Sequence, residues 1–236
     1  MTPITPAALA ARIAAHRRPG ETLVVGITGA VAVGKTTLAR QLAEALAPAG
    51  HVEILSTDGF LKPNAVLETQ GLLMRKGFPE SYDAPAMAAA LAGLKRLQTS
   101  GPVKVPAYSH AIYDVDPAAA RTIMGADVVL VEGLGLAPEA TGSRPPLDLL
   151  VYIDSDEADV LGWFLDRFIG LWAAAADDPG SFYARFRHMS EAEARDFAAE
   201  VWNGINRPNW LEHIAKARPV ADIVVKKAAD HGLFLL

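Results

Sequence analysis

The chain has 236 residues, with 27 acidic and 22 Lys plus Arg side chains, a formal net charge of −5 and no cysteine. That balance argues against a general binder of nucleic acid or anionic membrane, so an anionic ligand needs a locally built site. The missing thiols exclude disulfides, thiolate metal centres and cysteine nucleophiles.

The first twenty residues carry Arg12, Arg17 and Arg18 and no acid before Glu21, a faint likeness to a transit peptide. The order of basic and apolar residues is the reverse of a secretory signal, and Leu9 and Ile13 stand four apart, so this stretch reads as an amphipathic N-terminal helix. No apolar run approaches the roughly 18 residues of a membrane span. A cytoplasmic protein is expected, with neither membrane nor nucleic acid as partner.

Thr22–Thr28 reads as a fully buried strand, Thr36–Ala47 as a helix with Leu38, Leu42 and Leu46 on one stripe, and Val52–Ser56 as a second strand. Residues 57–83 read as a long loop punctuated by Gly and Pro, a length usually tied to function. Ala86–Gln98 is a predicted helix. Asp127–Val131 and Leu149–Asp154 are predicted strands, and a helix from about Glu157 to Trp172 follows. On it Leu161, Leu165, Phe168 and Trp172 form the predicted buried stripe, leaving Arg167 off it. Ser190 and Glu193 show a capping-box spacing that opens another helix. Asp222–Lys226 is the last core strand, with Leu233–Leu236 as an edge strand. Short apolar runs alternating with helical stretches predict an α/β fold, its mostly parallel central sheet flanked by helices in three layers. One domain is expected over 1–236, with a helical lid or substrate-binding part at about 155–217.

Between the first strand and helix stands Gly29-Ala30-Val31-Ala32-Val33-Gly34-Lys35-Thr36, the phosphate-loop pattern of P-loop nucleotide-binding proteins. The glycines let backbone N–H groups face phosphates, and the helix N-terminus adds partial positive charge. Lys35 is expected to reach the β- and γ-phosphates, and the Thr36 hydroxyl to ligate Mg²⁺. The guanine-reading Asn-Lys-x-Asp element is absent, and the chain length favours a small-molecule kinase using ATP.

Asp58 is read as ending the second strand, where ligands of open α/β sheets bind, and a carboxylate there can take the proton of an attacking hydroxyl. The bland alternative is a turn cap beside Gly59. Glu132 follows the third predicted strand, where a second carboxylate of P-loop enzymes holds Mg²⁺ or its waters; the alternative is an ordinary strand-end acid. Asp114 and Asp116, next to Pro117, read as turn formers.

At this point the sequence resembles the bacterial type I pantothenate kinases. The likeness rests on the phosphate loop through Thr37, on Ser56-Thr57-Asp58-Gly59-Phe60-Leu61-Lys62-Pro63-Asn64, and on Lys76-Gly77-Phe78-Pro79-Glu80-Ser81-Tyr82-Asp83. Further blocks are Pro106-Ala107-Tyr108-Ser109-His110-Ala111-Ile112-Tyr113-Asp114-Val115 and Val131-Glu132-Gly133-Leu134. The resemblance implies ATP-dependent phosphorylation of pantothenate to 4′-phosphopantothenate, the first step of coenzyme A synthesis. It implies Asp58 as catalytic base and Arg40 as a ligand of ATP or coenzyme A phosphates. Tyr108 and His110 would line the substrate pocket, Asn206 and Asn209 would bind the substrate's polar backbone, and Arg167 would stand at the edge of the site. It also implies coenzyme A as feedback inhibitor and a homodimer. The sequence departs from the family pattern at Phe164 (a tyrosine in the family), Asp166, Trp172, Ala173, Pro219 and Val220, and in the short stretch before the first strand. Those departures keep two alternatives open: a kinase of the uridine kinase and phosphoribulokinase group acting on a nucleoside or sugar, and a weakly catalytic sensor of ATP or coenzyme A.

Overall fold

The computed structural model describes residues 1–137 and 145–236. Its strands are β1 (Thr2–Pro3), β2 (Leu23–Gly29), β3 (Val52–Ser56), β4 (Val103–Val105), β5 (Tyr108–Ser109), β6 (Asp114–Val115), β7 (Arg121–Ile123), β8 (Val128–Glu132), β9 (Leu149–Asp154), β10 (Ile223–Lys227) and β11 (Leu233–Leu235). Its helices are α1 (Pro6–Ala14), α2 (Lys35–Leu46), α3 (Asn64–Thr69), α4 (Ala84–Lys95), α5 (Leu97–Ser100), α6 (Glu157–Ala174), α7 (Glu191–Val201) and α8 (Arg207–Glu212). Among the described residues the main sheet has the order β1-β11-β10-β9-β2-β8-β3. The five strands from β10 to β3 run parallel, while β11 and β1 add on antiparallel.

The central strands are apolar without alternation because helices cover both faces: β2 is buried along its whole length, as is β8. Leu38, Leu42 and Leu46 of α2, Leu91 and Leu94 of α4, and Leu9 and Ile13 of α1 close the core. The register Ile27↔Glu132↔Ser56 and Gly29↔Ile153 aligns the carboxyl ends of four parallel strands, so the chemistry-bearing loops leave from one rim.

The expected parallel α/β sheet flanked by helices is present. Three local expectations change. Residues 57–83 hold α3 and three short 3₁₀ turns rather than plain loop, because side-chain and backbone caps satisfy each turn locally. The strand at Leu233–Leu235 is not the edge; the two-residue β1, too short to announce itself, pairs outside it. The stripe on α6 is divided. Val160 and Phe168 are the buried residues, Leu161 and Phe164 pack on the main core, and Leu165 and Trp172 pack on a second small core. That second core gathers Phe168, Ala194 and Ala198 with Tyr183, Phe186, Met189 and Phe197, joining α6 to α7. Among the described residues no helix is long and apolar enough to cross a membrane.

Candidate active site

The phosphate loop leaves β2 at Gly29 and enters α2 at Lys35. Gly34 is the N-cap in a left-handed conformation, φ 102°, which a side chain would strain; no side chain caps α2, so its first N–H groups stay open to an anion. Lys35 Nζ lies back across the loop, donating to Ala30 O at 2.9 Å and Gly29 O at 3.2 Å. Burial lowers its pKa to about 8; Glu132 and Asp58 pull the other way and Arg167 adds to the lowering. Burial moves the carboxylate of Glu132 above its ordinary range, with Asp58 adding to the shift and Lys35, Ser56 and Thr36 opposing it. Thr36 and Thr37 are both exposed on α2, and Arg40, exposed one turn after Thr36, shares that helix face.

Asp58 is not on β3 itself but in the 3₁₀ turn Thr57–Phe60 just beyond it, its N–H donating to Ser56 Oγ at 3.4 Å. Its charge reaches Lys35, Glu132, Lys76, Tyr108 and His110, so it is the common neighbour of the phosphate loop and of everything opposite.

Opposite stands the hairpin β5–β6. Tyr108 packs edge-on to His110 at 5.1 Å and to Tyr113 at 6.2 Å, and Tyr113 stacks on Phe182 of the lid at 4.1 Å. Lys76 pins this hairpin: Nζ donates to Asn64 Oδ1 at 2.7 Å and Tyr113 O at 2.5 Å, and lies over the Tyr113 ring at 4.2 Å. Burial lowers its pKa to about 8 against the pull of Asp114 and Asp58. Burial also lowers His110, with Asp58 opposing and Arg167 and Lys76 assisting. Burial raises Tyr108, and lifts Tyr113 to about 12. Arg167, exposed on α6, exerts its charge on Lys35, His110 and Tyr183, so α6 brings a guanidinium within electrostatic reach of both halves.

The remaining expected residues sit elsewhere. Phe164 packs against Trp202 at 5.6 Å, between the two cores. Asn206, half-buried, ends a π-helical turn between α7 and α8. Asn209 is buried; its Nδ2 donates to Gly77 O at 2.8 Å, tying α8 to the loop that carries Lys76, and it borders a cavity of about 570 Å³ with Tyr82, Met87 and Leu91. Asp116 does form a turn, capping Pro117–Ala119 by accepting from Ala118 N, but Asp114 lies on β6 and its Oδ1 accepts from Asn64 N across 50 residues, so it braces the hairpin rather than a turn.

Sequence reasoning missed Lys76, Tyr113 and Tyr183, although the first two lie inside blocks it quoted. It also missed a cavity of about 340 Å³ beside the phosphate loop, walled by Val33, Gly34, Thr37, Lys227 and His231. There Lys227 Nζ donates to Val33 O at 3.0 Å and lies 3.8 Å over the Trp163 ring. Among the described residues no cluster of three or more His, Asp or Glu side chains could hold a metal by itself. Thr36 and Glu132 would offer two oxygens to a hard cation, leaving room for phosphate oxygens and water around it.

The sequence pattern of the phosphoribulokinase and uridine kinase family matches residues 24–168. A pantothenate kinase of Sorangium cellulosum is 44% identical over 225 residues, covering 92% of this chain and 71% of that protein. A pantothenate kinase of Xanthobacter autotrophicus is 40% identical over 220 residues, covering 88% of this chain and 68% of its own. Among solved structures, a candidate fructose transport system kinase from Silicibacter sp. TM1040 superposes with a TM-score of 0.71 at 25% identity, covering 94% of this chain and 98% of that one. The chain belongs to the phosphoribulokinase and uridine kinase family, among its pantothenate kinases.

Proposed function

We propose that this chain transfers the γ-phosphoryl group of ATP to the primary hydroxyl of pantothenate, giving 4′-phosphopantothenate and ADP, the first step of coenzyme A synthesis. The observation that carries the reading is Asp58, poised between an open phosphate loop on one side and the Tyr108, His110 and Lys76 wall on the other. Relatives about 40% identical over most of the chain carry the pantothenate kinase name, which supports this acceptor.

The acceptor hydroxyl attacks in line. An acceptor oxygen to γ-phosphorus bond forms, the bond from γ-phosphorus to the β-γ bridging oxygen breaks, and the hydroxyl proton passes to Asp58. Lys35 leaves its carbonyls on the loop and follows the phosphates, and Arg167 faces the charge spread over the transferring group. Thr36 and Glu132 fit Mg²⁺, which supplies charge neutralisation at the phosphates. Tyr108 and His110 line the acceptor side; Asn206, Asn209 and Phe164 stand apart from them, so their proposed part in holding the substrate rests on the family likeness alone. The cavity beside Gly34 and Thr37 suits the nucleotide base, with Lys227 and His231 on its wall. Arg40 remains the candidate contact for outer phosphates of ATP or of coenzyme A as inhibitor, and a homodimer is the expected assembly.

The test is ADP release with pantothenate. The expected outcome is saturable turnover dependent on Mg²⁺ and abolished in Asp58→Ala. Release no faster than the ATPase background, with ATP still bound, would exclude this acceptor, and a panel of nucleosides and sugars would then name the true one.

A further inference from the structure

The segment 79–83 is laced to the turn that carries Asp58. Leu61 and Tyr82 form an antiparallel bridge, Lys62 N donates to Ser81 O at 2.8 Å, and Asp83 N to Phe60 O at 2.8 Å. The lacing drives the Tyr82 side chain inward until it is 5% exposed, with its ring edge 3.8 Å from where a side chain on Gly135 would begin. Its hydroxyl lies beside that of Thr57. Both oxygens are fully buried, and neither makes a hydrogen bond of normal geometry. Thr57 presses on the strand-end loop so closely that a Cβ at position 133 would overlap Oγ1; Gly133, at φ 142°, is the residue that allows it.

Thr57 precedes Asp58, and Gly133 follows Glu132. Two buried hydroxyls therefore meet where the turn bearing one carboxylate abuts the strand end bearing the other. A buried hydroxyl without a partner costs about 1–3 kcal/mol, and such costs persist where the site itself uses the group. Burial, and then the charges of Asp58 and Glu132, keep the Tyr82 phenol protonated well above its ordinary range, with the Thr57 contact acting the other way. The group is thus a protonated donor that lies beside the Thr57 hydroxyl and within the field of both carboxylates.

We propose that Tyr82 is a positioning residue for phosphoryl transfer: its hydroxyl, acting through Thr57, fixes the Asp58 turn against the Glu132 strand end in the loaded site. The inference rests on the reading of Asp58 as the base.

Steady-state kinetics test it on the wild type, Tyr82→Phe, Thr57→Val, Thr57→Ser and Asp58→Asn, with melting temperatures for each. Tyr82→Phe keeps the ring and its packing. It and Thr57→Val are each expected to lower kcat about tenfold with both KM values within about twofold, since an effect confined to the transition state spares ground-state binding. The double variant is expected to be no slower than either single one, as for two parts of one device. Thr57→Ser, which restores a hydroxyl, is expected to recover most of the rate. Wild-type kcat in Tyr82→Phe beside an inactive Asp58→Asn overturns this inference alone. Losses in Tyr82→Phe that track a lower melting temperature and weaker ATP binding also overturn it, because they mark a purely structural role. A fully active Asp58→Asn overturns both this inference and the base assignment.

Discussion

The two halves of the site are built from different materials. The phosphate side is mostly backbone: loop amides and a helix N-terminus held by strands buried on both faces. The acceptor side is mostly side chain. Tyr108, His110 and Tyr113 sit on a two-residue-strand hairpin that Lys76 pins from a neighbouring loop, and α6 and α7 beside them share a small aromatic core of their own. A backbone cradle tolerates sequence change around it, whereas a side-chain wall is rewritten by single substitutions. The half proposed for phosphate is therefore set mainly by backbone, and the half proposed for the acceptor mainly by replaceable side chains.

The strongest break in that comparison lies at the junction. Asp58→Ala is expected to lower kcat by about 10²–10⁴-fold, the usual range for a general base, while the ATP dissociation constant stays within about twofold. Isothermal titration calorimetry beside turnover assays checks it; a comparable loss of ATP affinity would move Asp58 to the phosphate half.

Next come the two cores. Ile27→Ala, in the buried β2, and Phe168→Ala, in the lid core, each delete a well-packed side chain and are expected to cost about 3–4 kcal/mol. They should differ in kind. Ile27→Ala lowers the global melting temperature and weakens ATP and acceptor alike. Phe168→Ala raises the acceptor KM severalfold and leaves ATP affinity near wild type. Equal loss of both ligands in Phe168→Ala would show that the lid core is part of the main one.

A smaller contrast is electrostatic. Lys35 has a pKa of about 8, so its charge is complete below that pH and lost above it. ATP affinity of the free protein is accordingly expected to fall up to about tenfold between about pH 7 and pH 9.5, since a charged group interacting with phosphate is worth about one such factor. Lys35→Met should bind weakly at both pH values and flatten the profile. Lys76 titrates in the same window, yet it faces the tyrosines, so Lys76→Met should leave the ATP profile unchanged and flatten that of the acceptor KM.

The same division explains what was legible in the sequence. Val52–Ser56 and Leu149–Asp154 have the same bounds as read, and the phosphate loop and capping box stand where their spacing placed them, because each is a local pattern. The acceptor wall depends on pairings over long separations, Lys76 with Tyr113 across 37 residues and Asn209 with Gly77 across 132, and the cavity beside the phosphate loop on Lys227 with Val33 across 194. No periodicity announces such contacts. The α6 stripe was half legible for a related reason. One helix face serves two cores, and a single stripe cannot say which residue turns to which.

The smallest expected effect probes whether the lid is separable at all. The Ser190 and Glu193 side chains cap α7 reciprocally, Ser190 N donating to Glu193 Oε2 at 2.8 Å and Glu193 N to Ser190 Oγ at 3.3 Å. The helix they start delivers Ala194 and Ala198 to the lid core and nothing to the sheet. Ser190→Ala removes the hydroxyl that accepts from Glu193 N, while the backbone N–H at 190 can still donate to Glu193, and is expected to cost about 1 kcal/mol, or about 2–4 °C in Tm if the chain unfolds as one unit. Hydrogen exchange separates the two cases. Faster exchange across α7 and the adjoining face of α6, with β2 and β8 amides unchanged, means the lid opens alone and that its small core sets the cost of admitting an acceptor. Faster exchange spread evenly into β2 means that cap and sheet share one stability, and the acceptor half is then as rigid as the phosphate half.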